Sequence, residues 1–398
     1  MKKILFLVSE DSYFCSHRLN LARAALQAGF EVAIATKATK PTHTQKIQDA
    51  GLTLFPLKHF TRAGLNPIRQ CQLLLELLKI YKMYRPDIVH QVAIKPVILG
   101  SLVGLWCRIP LIINALGGLG YLFTTDEPLP PEIPPSPPFS KGEKTTKTTT
   151  KLKKRVLRFL TCWLFRFIFS RRNTKLILQN QDDLDTLVKA QCISDLKKIS
   201  IIRGSGIDMN AFPATPFPPE PPVIIACISR LLWDKGIGEL VTAARTLQEK
   251  NIAAKIILYG TPDPENPASI SHEQIQEWHD SGLITWQGHC NHVAKAYADC
   301  HIAALPSYRE GLPKTLLEAA SCERPIVTTD VPGCREVVKD GENGLLVPAK
   351  DSEELANALI VLIENKALRL QMGQAGRKRV AQYFSDTLIY EEILKLYS

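Results

Sequence analysis

Short apolar runs alternate with amphipathic stretches along most of the chain, and this alternation predicts its secondary structure. In the first half, apolar runs predict strands over 3–8, 31–36, 52–56, 87–91, 111–114, 175–179 and 198–202. Helical periodicity predicts helices between them, over 19–28, 67–84, 97–107 and 182–190. Strands that alternate with helices in this way indicate a parallel sheet covered by helices on both faces.

The second half repeats this pattern. Strands are predicted over 223–229, 255–259, 283–286, 302–305, 325–328 and 344–347, and helices over 237–250, 271–280, 293–300, 314–321, 352–364 and 367–382. A proline-rich stretch, 212–222, separates the halves and has the composition of a linker. We therefore predict an α/β fold of two doubly wound, Rossmann-like domains facing across a cleft, over 1–208 and 209–382. A C-terminal helix over 383–398 could cross back to the first domain.

Two consecutive segments of the first half depart from the pattern. Residues 126–150 are rich in Pro, Lys and Thr, cannot bury a core, and are predicted to be disordered. Residues 151–172 mix aromatic and aliphatic side chains with Lys and Arg, so a helix there would be basic and amphipathic. Such a helix could lie in a membrane interface, or it could pack its apolar face on its own domain.

Length and charge agree with two domains and an anionic partner. A chain of 398 residues exceeds what one hydrophobic core usually holds. The net charge of +10 is uneven, because 1–208 is basic and 209–398 is acidic. A membrane surface, a phosphorylated acceptor or nucleic acid could meet the basic half, although much of the excess lies in 141–172. The ten scattered cysteines without a CxxC pair, and the lack of a membrane-spanning run, predict a cytoplasmic protein.

Residues 306–320 carry the most informative polar positions. Glu310 and Gly311 lie in the turn after a predicted strand, and Pro313 suits the first position of the next helix. Ligands of open α/β sheets bind at the carboxyl ends of strands, where turn N–H groups and helix N-termini attract phosphate or sugar oxygens. Glu310 and Glu318 flank this anion site, and a carboxylate there suits sugar hydroxyls because it accepts hydrogen bonds.

Residues 228–236 place two cations at another strand end. Arg230 ends the predicted strand, and Lys235 and Gly236 open the next helix. Such a pair can clamp a diphosphate. When a nucleotide sugar transfers its sugar, the diphosphate gains charge as the glycosidic bond breaks, and fixed cations can stabilise that charge without a metal.

These residues resemble the family-four retaining glycosyltransferases of GT-B fold. The resemblance rests on Arg230 with Lys235, on Glu310 with Glu318, and on residues 325–336. Shorter matching pieces lie at 16–18, 94–96, 117–121 and 203–208. The chain looks most similar to the branch that acts on polyprenyl-linked sugars in surface polysaccharide assembly, from residue 3 to about residue 397 outside 126–150.

The resemblance implies a role for each matched residue. Arg230 and Lys235 would bind the donor diphosphate, Glu310 would hold the donor sugar's hydroxyls near the anomeric carbon, and Glu318 would bind the ribose. Arg230, Lys235 and Glu310 are therefore the expected catalytic residues. No metal and no cofactor is expected besides the nucleotide sugar. The turn over the sugar and phosphate would be shaped by Gly311, Leu312 and Pro313.

The acceptor side departs from the family pattern. Many relatives have a glycine pair in the first strand–helix turn, and some have a histidine near the anomeric carbon, but this chain has neither at 9–14 or 114–117. The candidates for acceptor binding are His17, Lys95, Gly117 and Gly118. A DxD sequence at 183–185 resembles a metal motif, but acidic residues at a helix start complement the helix dipole instead.

We therefore expect a metal-independent hexosyl- or N-acetylhexosaminyl-transferase with 209–382 binding the nucleotide sugar, a UDP-sugar by expectation. The domain 1–208 would bind a lipid-linked or polysaccharide acceptor. The expected partners are this donor, this acceptor and a membrane surface through 151–172, without nucleic acid, at the cytoplasmic face of the membrane. The alternatives are a nucleotide-sugar epimerase or phosphorylase of the same fold, or a non-enzymatic membrane-surface scaffold.

Overall fold

The computed structural model describes residues 1–61, 66–119, 123, 146–193 and 195–398, the side chains of 146–155 excepted. The chain divides into two compact units, Met1–Ile202 with Glu392–Ser398, and Arg203–Glu391. The division falls earlier than the expected boundary at 208. Ile207 already belongs to the second unit, because its N–H donates to the carbonyl of Phe384 at 2.9 Å.

The first unit contains a parallel sheet of order β3-β2-β1-β4-β5-β6-β7. Its strands are β1 (Lys3–Glu10), β2 (Glu31–Lys37), β3 (Thr53–Pro56), β4 (Ile88–Val92), β5 (Leu111–Ala115), β6 (Thr174–Leu178) and β7 (Ile199–Ile201). Its helices are α1 (Asp11–His17), α2 (Leu19–Gln27), α3 (Pro41–Asp49), α4 (Pro67–Tyr84), α5 (Ile94–Trp106), α6 (Thr146–Phe169) and α7 (Gln181–Lys189). The strand order reverses between β1 and β4, and ligands of such sheets bind at this reversal.

The second unit contains a parallel sheet of order β10-β9-β8-β11-β12-β13. Its strands are β8 (Val223–Ile228), β9 (Ala254–Tyr259), β10 (Thr285–Trp286), β11 (Ile302–Leu305), β12 (Ile326–Thr329) and β13 (Gly344–Val347). Its helices are α8 (Ile237–Glu249), α9 (His272–Asp280), α10 (Val293–Ala298), α11 (Lys314–Ser321), α12 (Pro332–Val337), α13 (Ser352–Glu364) and α14 (Lys366–Tyr383). The prediction of two doubly wound, Rossmann-like parallel sheets is confirmed.

The last helix, α15 (Asp386–Tyr397), is shared between the two units. It begins in the second unit, whereas Glu392–Ser398 belong to the first. Tyr397 is fully buried there, and its hydroxyl lies 2.6 Å from Nδ1 of His90. Lys2 adds a hydrogen bond from its ammonium to the carbonyl of Ser398 at 3.2 Å.

The proline-rich stretch 212–222 is packed against the second unit and is not a free linker. Two guanidinium groups, those of Arg324 and Arg369, are each only 1% exposed and hold this stretch. Arg324 donates to the carbonyl of Thr215 at 2.9 Å, and Arg369 forms an ion pair with Glu220. The ring of Phe217 lies 4.9 Å from Arg324 and 5.7 Å from Arg369. The prediction of a linker was wrong because it was based on proline content alone. That content gives no sign of these distant partners.

Helix α6 packs on its own domain, which was one of the two alternatives that the sequence left open. Most of the predicted disordered insert, 126–145, lies outside the described residues, but 146–150 form the first turns of this helix. Phe165 and Ile168 are fully buried in the core of the first unit. On the other side Phe159 is 71% exposed and Trp163 is 59% exposed. One end of the helix therefore anchors it, and its outer face remains apolar.

The cysteines are all free thiols. Five are buried, at Cys192, Cys227, Cys300, Cys322 and Cys334, and Cys71 is exposed on α4. Within the described ranges, none of the helices is both long enough and apolar enough to cross a bilayer.

Candidate active site

Two strand–helix turns of the second unit, 229–236 and 306–313, follow the adjacent strands β8 and β11. Hydrogen bonds join the two turns directly. The N–H of Tyr308 donates to the carbonyl of Asp234 at 2.9 Å, and the hydroxyl of Ser307 donates to the same carbonyl at 3.2 Å. The side chains of both turns are therefore held in a fixed relation at the carboxyl edge of the sheet, where α/β proteins bind ligands.

Glycines allow the backbone to approach these turns closely. Gly236 has a φ of 69° and caps α8, and a Cβ there would collide with the carbonyl oxygen of Pro306. Gly333 donates its N–H to the carbonyl of Glu310 at 3.1 Å. A Cβ at Gly333 would lie 2.6 Å from that oxygen and 2.5 Å from the carbonyl oxygen of Gly311. Only glycine fits at these two contacts without moving the turns.

Lys235 and Glu310 form an ion pair between the two turns. Their side chains are 18% and 13% exposed, so water screens the pair only in part. Lys235 ends the short 3-10 turn Trp233–Lys235, and Glu310 lies in the turn after β11. This pairing places a cation suited to phosphate directly beside a carboxylate suited to sugar hydroxyls.

Arg230 has a different partner. It lies two residues beyond the end of β8 rather than at its last position, and it forms an ion pair with Asp263 at 2.8 Å. Arg230 is about half exposed, whereas Asp263, which follows β9, is 13% exposed. Asp263 was not predicted from the sequence, although an acidic residue shortly after an apolar strand was a signal for it.

Glu318 is a buried carboxylate and not an ordinary helix-surface residue. It lies on α11 and is only 8% exposed. Burial raises its pKa above the usual value, and the ion pair with Lys314 at 3.4 Å opposes that rise. Pro313 was expected to be the first residue of the helix. Helix α11 instead begins at Lys314, so Pro313 is its N-cap.

Tyr308 and Glu239 form a second contact that was not predicted from the sequence. The hydroxyl of Tyr308 donates to Oε1 of Glu239 at 2.5 Å. Burial raises the pKa of Tyr308, and the neighbouring Glu239 carboxylate adds to the rise. Glu239 lies in the first turn of α8, so the contact ties the turn before Glu310 to that helix.

The acceptor candidates lie in the first unit. His17 ends α1, stacks on Tyr13 with ring centroids 4.3 Å apart, and places Nδ1 2.7 Å from the hydroxyl of Ser16. Gly117 and Gly118 follow β5, and a Cβ at Gly117 would lie 3.5 Å from the hydroxyl of Tyr13. Tyr13 thus contacts His17 on one side and lies close to Gly117 on the other.

Lys95 makes its own set of contacts on α5. Its ammonium donates to the carbonyl of Thr61 at 2.6 Å and lies 5.3 Å from the ring of Phe60. Burial lowers the pKa of Lys95. These contacts fix the position of a cation near the start of α5.

The DxD sequence at 183–185 serves as a helix start. Asp183 is buried, and its N–H donates to the side chain of Asn180 at 2.7 Å, which caps α7. Over the described part of the chain, no group of three His, Cys, Asp or Glu side chains is placed to hold a metal ion.

Two families match the two halves of the chain. Residues 208–379 match the family described as glycosyl transferases group 1, and residues 3–133 match the family described as glycosyl transferase 4-like. These matches cover the site turns of the second unit and most of the first sheet.

Relatives and solved structures agree with these families. N,N'-diacetylbacillosaminyl-diphospho-undecaprenol alpha-1,3-N-acetylgalactosaminyltransferase of Campylobacter jejuni is 27% identical over 89% of this chain and 88% of its own. An Escherichia coli UDP-Gal:alpha-D-GlcNAc-diphosphoundecaprenol alpha-1,3-galactosyltransferase is 23% identical over 84% of this chain and 81% of its own.

Sucrose-phosphate synthase of Thermosynechococcus elongatus shares the fold with a TM-score of 0.74 at 19% identity, covering 100% of this chain and 98% of its own. Anabaena Alr3699/HepE, solved with UDP and glucose, has a TM-score of 0.73 at 16% identity and 99% coverage of both chains. The fold and the matched families define a glycosyltransferase. The chain belongs to the family-four glycosyltransferases of GT-B fold.

Proposed function

We propose that this glycosyltransferase moves a hexosyl or N-acetylhexosaminyl group from a UDP-sugar to a polyprenyl-diphosphate-linked or polysaccharide acceptor, with retention and without a metal. The observation that carries the donor half is the ion pair of Lys235 and Glu310 at the junction of two strand–helix turns. The Escherichia coli relative is named for a UDP-Gal donor, and both relatives are named for undecaprenol-linked acceptors, which supports the proposed substrate classes.

Different residues of the site would bind different parts of the donor. Lys235 and Arg230 would bind the diphosphate, Arg230 exchanging its contact with Asp263 for phosphate oxygens. Glu310 would accept hydrogen bonds from the sugar hydroxyls, and the buried Glu318 would accept them from the ribose. The turn beneath the sugar and phosphate would be formed by Gly311, Leu312 and Pro313.

The proposed chemistry follows from where the charge develops. The bond between the anomeric carbon and the diphosphate oxygen breaks, and its electrons pass to the diphosphate, which Lys235 and Arg230 stabilise. The acceptor hydroxyl attacks the same face of the anomeric carbon and gives its proton to the leaving phosphate oxygen. Glu310 is held by Lys235, which suits a role in orienting the sugar rather than in forming a covalent bond to it.

The acceptor would bind in the first unit. His17, Gly117 and Gly118 lie near one another at the carboxyl edge of its sheet, and Lys95 supplies a cation for an acceptor phosphate. The contact of Lys95 with Thr61 fixes this cation before any phosphate arrives.

A donor panel tests the proposal. Nucleotide release from UDP-sugars is measured with and without a polyprenyl-diphosphate sugar, for the wild type and for Glu310→Ala, and the product anomer is read by NMR. Release that requires acceptor and gives a retained anomer supports transfer. Equal rates for the wild type and Glu310→Ala would contradict the role of Glu310, and conversion of the donor alone would favour an epimerase.

We further propose that the outer face of α6 binds the cytoplasmic surface of an anionic membrane, where a lipid-linked acceptor would be found. Its exposed side chains combine apolar and basic character, as an interfacial helix requires. Trp163 and Phe159 are exposed beside Arg166, and exposed basic residues follow at Arg171 and Arg172.

Helices α4 and α5 extend this face. Right-handed crossovers from β3 to β4, β4 to β5 and β5 to β6 place α4, α5 and α6 on one face of the sheet, and neighbouring helices are in contact. Leu75 and Met83 on α4 are 61% and 67% exposed, and Trp106 on α5 is 78% exposed. Each of the three helices on this side of the sheet thus carries exposed apolar side chains.

Vesicle flotation tests the membrane proposal. The full chain and a Phe159→Ser, Trp163→Ser variant are floated with phosphatidylcholine vesicles that contain or lack phosphatidylglycerol. We expect the wild type to bind the anionic vesicles and the variant to bind them several-fold less. Tyr383→Ser with Leu388→Ser, which changes two exposed large hydrophobic residues of the second unit, serves as the control. Equal flotation of all three proteins would contradict the proposal.

A further inference from the structure

Two polar side chains meet above Gly117 in the first unit. A Cβ built on Gly117 would lie 3.5 Å from the hydroxyl of Tyr13 and 3.6 Å from the amide nitrogen of Gln179. Both distances are ordinary contacts, so the absent side chain of Gly117 leaves a notch that the two polar groups border. Tyr13 lies on α1, and Gln179 follows β6 directly.

The notch lies where a ligand is expected. Tyr13 follows β1, Gly117 follows β5 and Gln179 follows β6, so all three residues lie at the carboxyl edge of one parallel sheet. This edge includes the point where the strand order reverses beside β1. Tyr13 is also fixed in place, because its ring stacks on His17 with an interplanar angle of 3°.

Neither polar group is used within the described chain. Gln179 is only 8% exposed, yet its side-chain amide has no hydrogen-bond partner among the described residues. The hydroxyl of Tyr13 likewise lacks a partner in that part of the protein. Neither group is among the polar atoms sealed from solvent, so both can reach water or a ligand.

The chemistry of the notch selects its ligand. A phenol and a primary amide each donate and accept hydrogen bonds and carry no charge, which matches a hydroxyl group better than a phosphate. We infer that Tyr13 and Gln179 bind a hydroxyl of the acceptor's terminal sugar and that Gly117 leaves room for it. This inference rests on the proposed function, and it adds two residues that select the acceptor to those that bind the donor.

Three substitutions test the inference separately. Tyr13→Phe removes only the hydroxyl, Gln179→Met removes the amide at similar length, and Gly117→Ala fills the notch at distances that the fold accommodates. Tyr13→Phe and Gln179→Met should each raise the KM for a short-chain prenyl-diphosphate sugar about 10-fold, because each loses one hydrogen bond. Gly117→Ala should raise this KM because its methyl group takes the place of the sugar hydroxyl. The KM for the UDP-sugar should not change. Tyr383→Phe, which removes an exposed hydroxyl elsewhere, is the matched control.

Binding measured without turnover separates this inference from the proposed function. Saturation-transfer NMR detects the sugar protons of the same prenyl-diphosphate sugar when they contact the protein. We expect strong saturation with the wild type and little with Gly117→Ala. Equal saturation, or an unchanged acceptor KM in both Tyr13→Phe and Gly117→Ala, would overturn the inference even if Glu310-dependent transfer is observed.

Discussion

Lys235 and Glu310 are 75 residues apart in the chain, yet they form an ion pair between two neighbouring turns of the second unit. The pair arises because β8 and β11 are adjacent in the sheet, although β9 and β10 come between them in the chain. In the sheet, β9 and β10 lie on the other side of β8. The fold therefore places a cation and a carboxylate at one point before any ligand is present.

Replacing Lys235 should reduce transfer more than it reduces stability. Lys235→Ala removes a cation that would stabilise the leaving diphosphate, so we expect kcat/KM for the UDP-sugar to fall about 100- to 1,000-fold. Steady-state kinetics measures this effect. Lys295→Ala is the control, because Lys295 is 73% exposed. Its kcat/KM should stay within about two-fold of the wild-type value, since substitutions at exposed positions usually have small effects. A similarly small effect of Lys235→Ala would refute the diphosphate role.

Glu318→Gln should weaken nucleotide binding without lowering stability at neutral pH. The pKa of Glu318 is raised by burial, so its ionised form costs stability as the pH rises above the ordinary 4.5. Gln carries no such cost, and any stability gain over the wild type should therefore vanish as the pH falls below 4.5. The affinity for UDP should fall about 10- to 100-fold, because hydrogen bonds to a carboxylate are lost.

Calorimetric titration with UDP, together with urea unfolding between pH 4 and pH 8, checks both parts of the Glu318 prediction. Glu342→Gln, at an exposed loop position, is the control and should change neither quantity. Unchanged UDP affinity in Glu318→Gln would leave Glu318 without a role in nucleotide binding.

Glu220→Ala should destabilise the second unit through a residue of the proline-rich stretch. It leaves the buried guanidinium of Arg369 without its carboxylate, although bonds to the carbonyls of Leu362 and Ile363 remain. We expect a loss of about 2–3 kcal/mol at pH 7. Asp299→Ala breaks an exposed pair with Lys295 and should cost no more than about 0.5 kcal/mol.

The effect of Glu220 should also depend on pH. Burial alone would raise the pKa of Glu220, but Lys366 and Arg369 lower it below the ordinary 4.5. The stability from this carboxylate is therefore complete above pH 4.5 and is lost as the pH falls through the lowered value. Urea unfolding should show the wild type and Glu220→Ala converging in acid. A constant difference would mean that the pair does not account for the loss.

Gly333→Ala should impair the site through the backbone alone. Its methyl group would lie 2.6 Å from the carbonyl oxygen of Glu310, so the turn that carries Glu310 must move. A displacement of about 1 Å can cost about 100-fold in rate, and we expect kcat/KM to fall by that order. Gly376→Ala on α14, where the nearest atom would be 3.4 Å away, should leave the rate unchanged. Wild-type kinetics in Gly333→Ala would show that the turn tolerates the shift.

The strands and longer helices followed from local sequence, because their apolar periodicity is strong over several residues. Helices α1, α3 and α12 did not, since they are short and present few apolar positions. The turns that carry Lys235 and Glu310 could be assigned to strand ends, but their pairing depends on strand order. Asp263, Glu239 and Gln179 were missed for the same reason, because their partners lie on other elements.

The proline-rich stretch 212–222 shows a case in which composition gave a wrong prediction. Its many prolines predicted a linker, but Arg324 and Arg369 bind it from positions about a hundred residues or more away. Local sequence carries no sign of a buried arginine that binds such a distant segment.

The exposure of Cys71 offers a way to label the protein without introducing a new residue. Cys15, Cys107 and Cys290 are half-buried thiols whose pKa values burial raises, so they form less thiolate at neutral pH. A maleimide dye used briefly and in equimolar amount should therefore favour Cys71. On α4 the dye would share a helix with the exposed Leu75, and a blue shift of its emission on adding vesicles would report the approach of lipid in the unmutated protein.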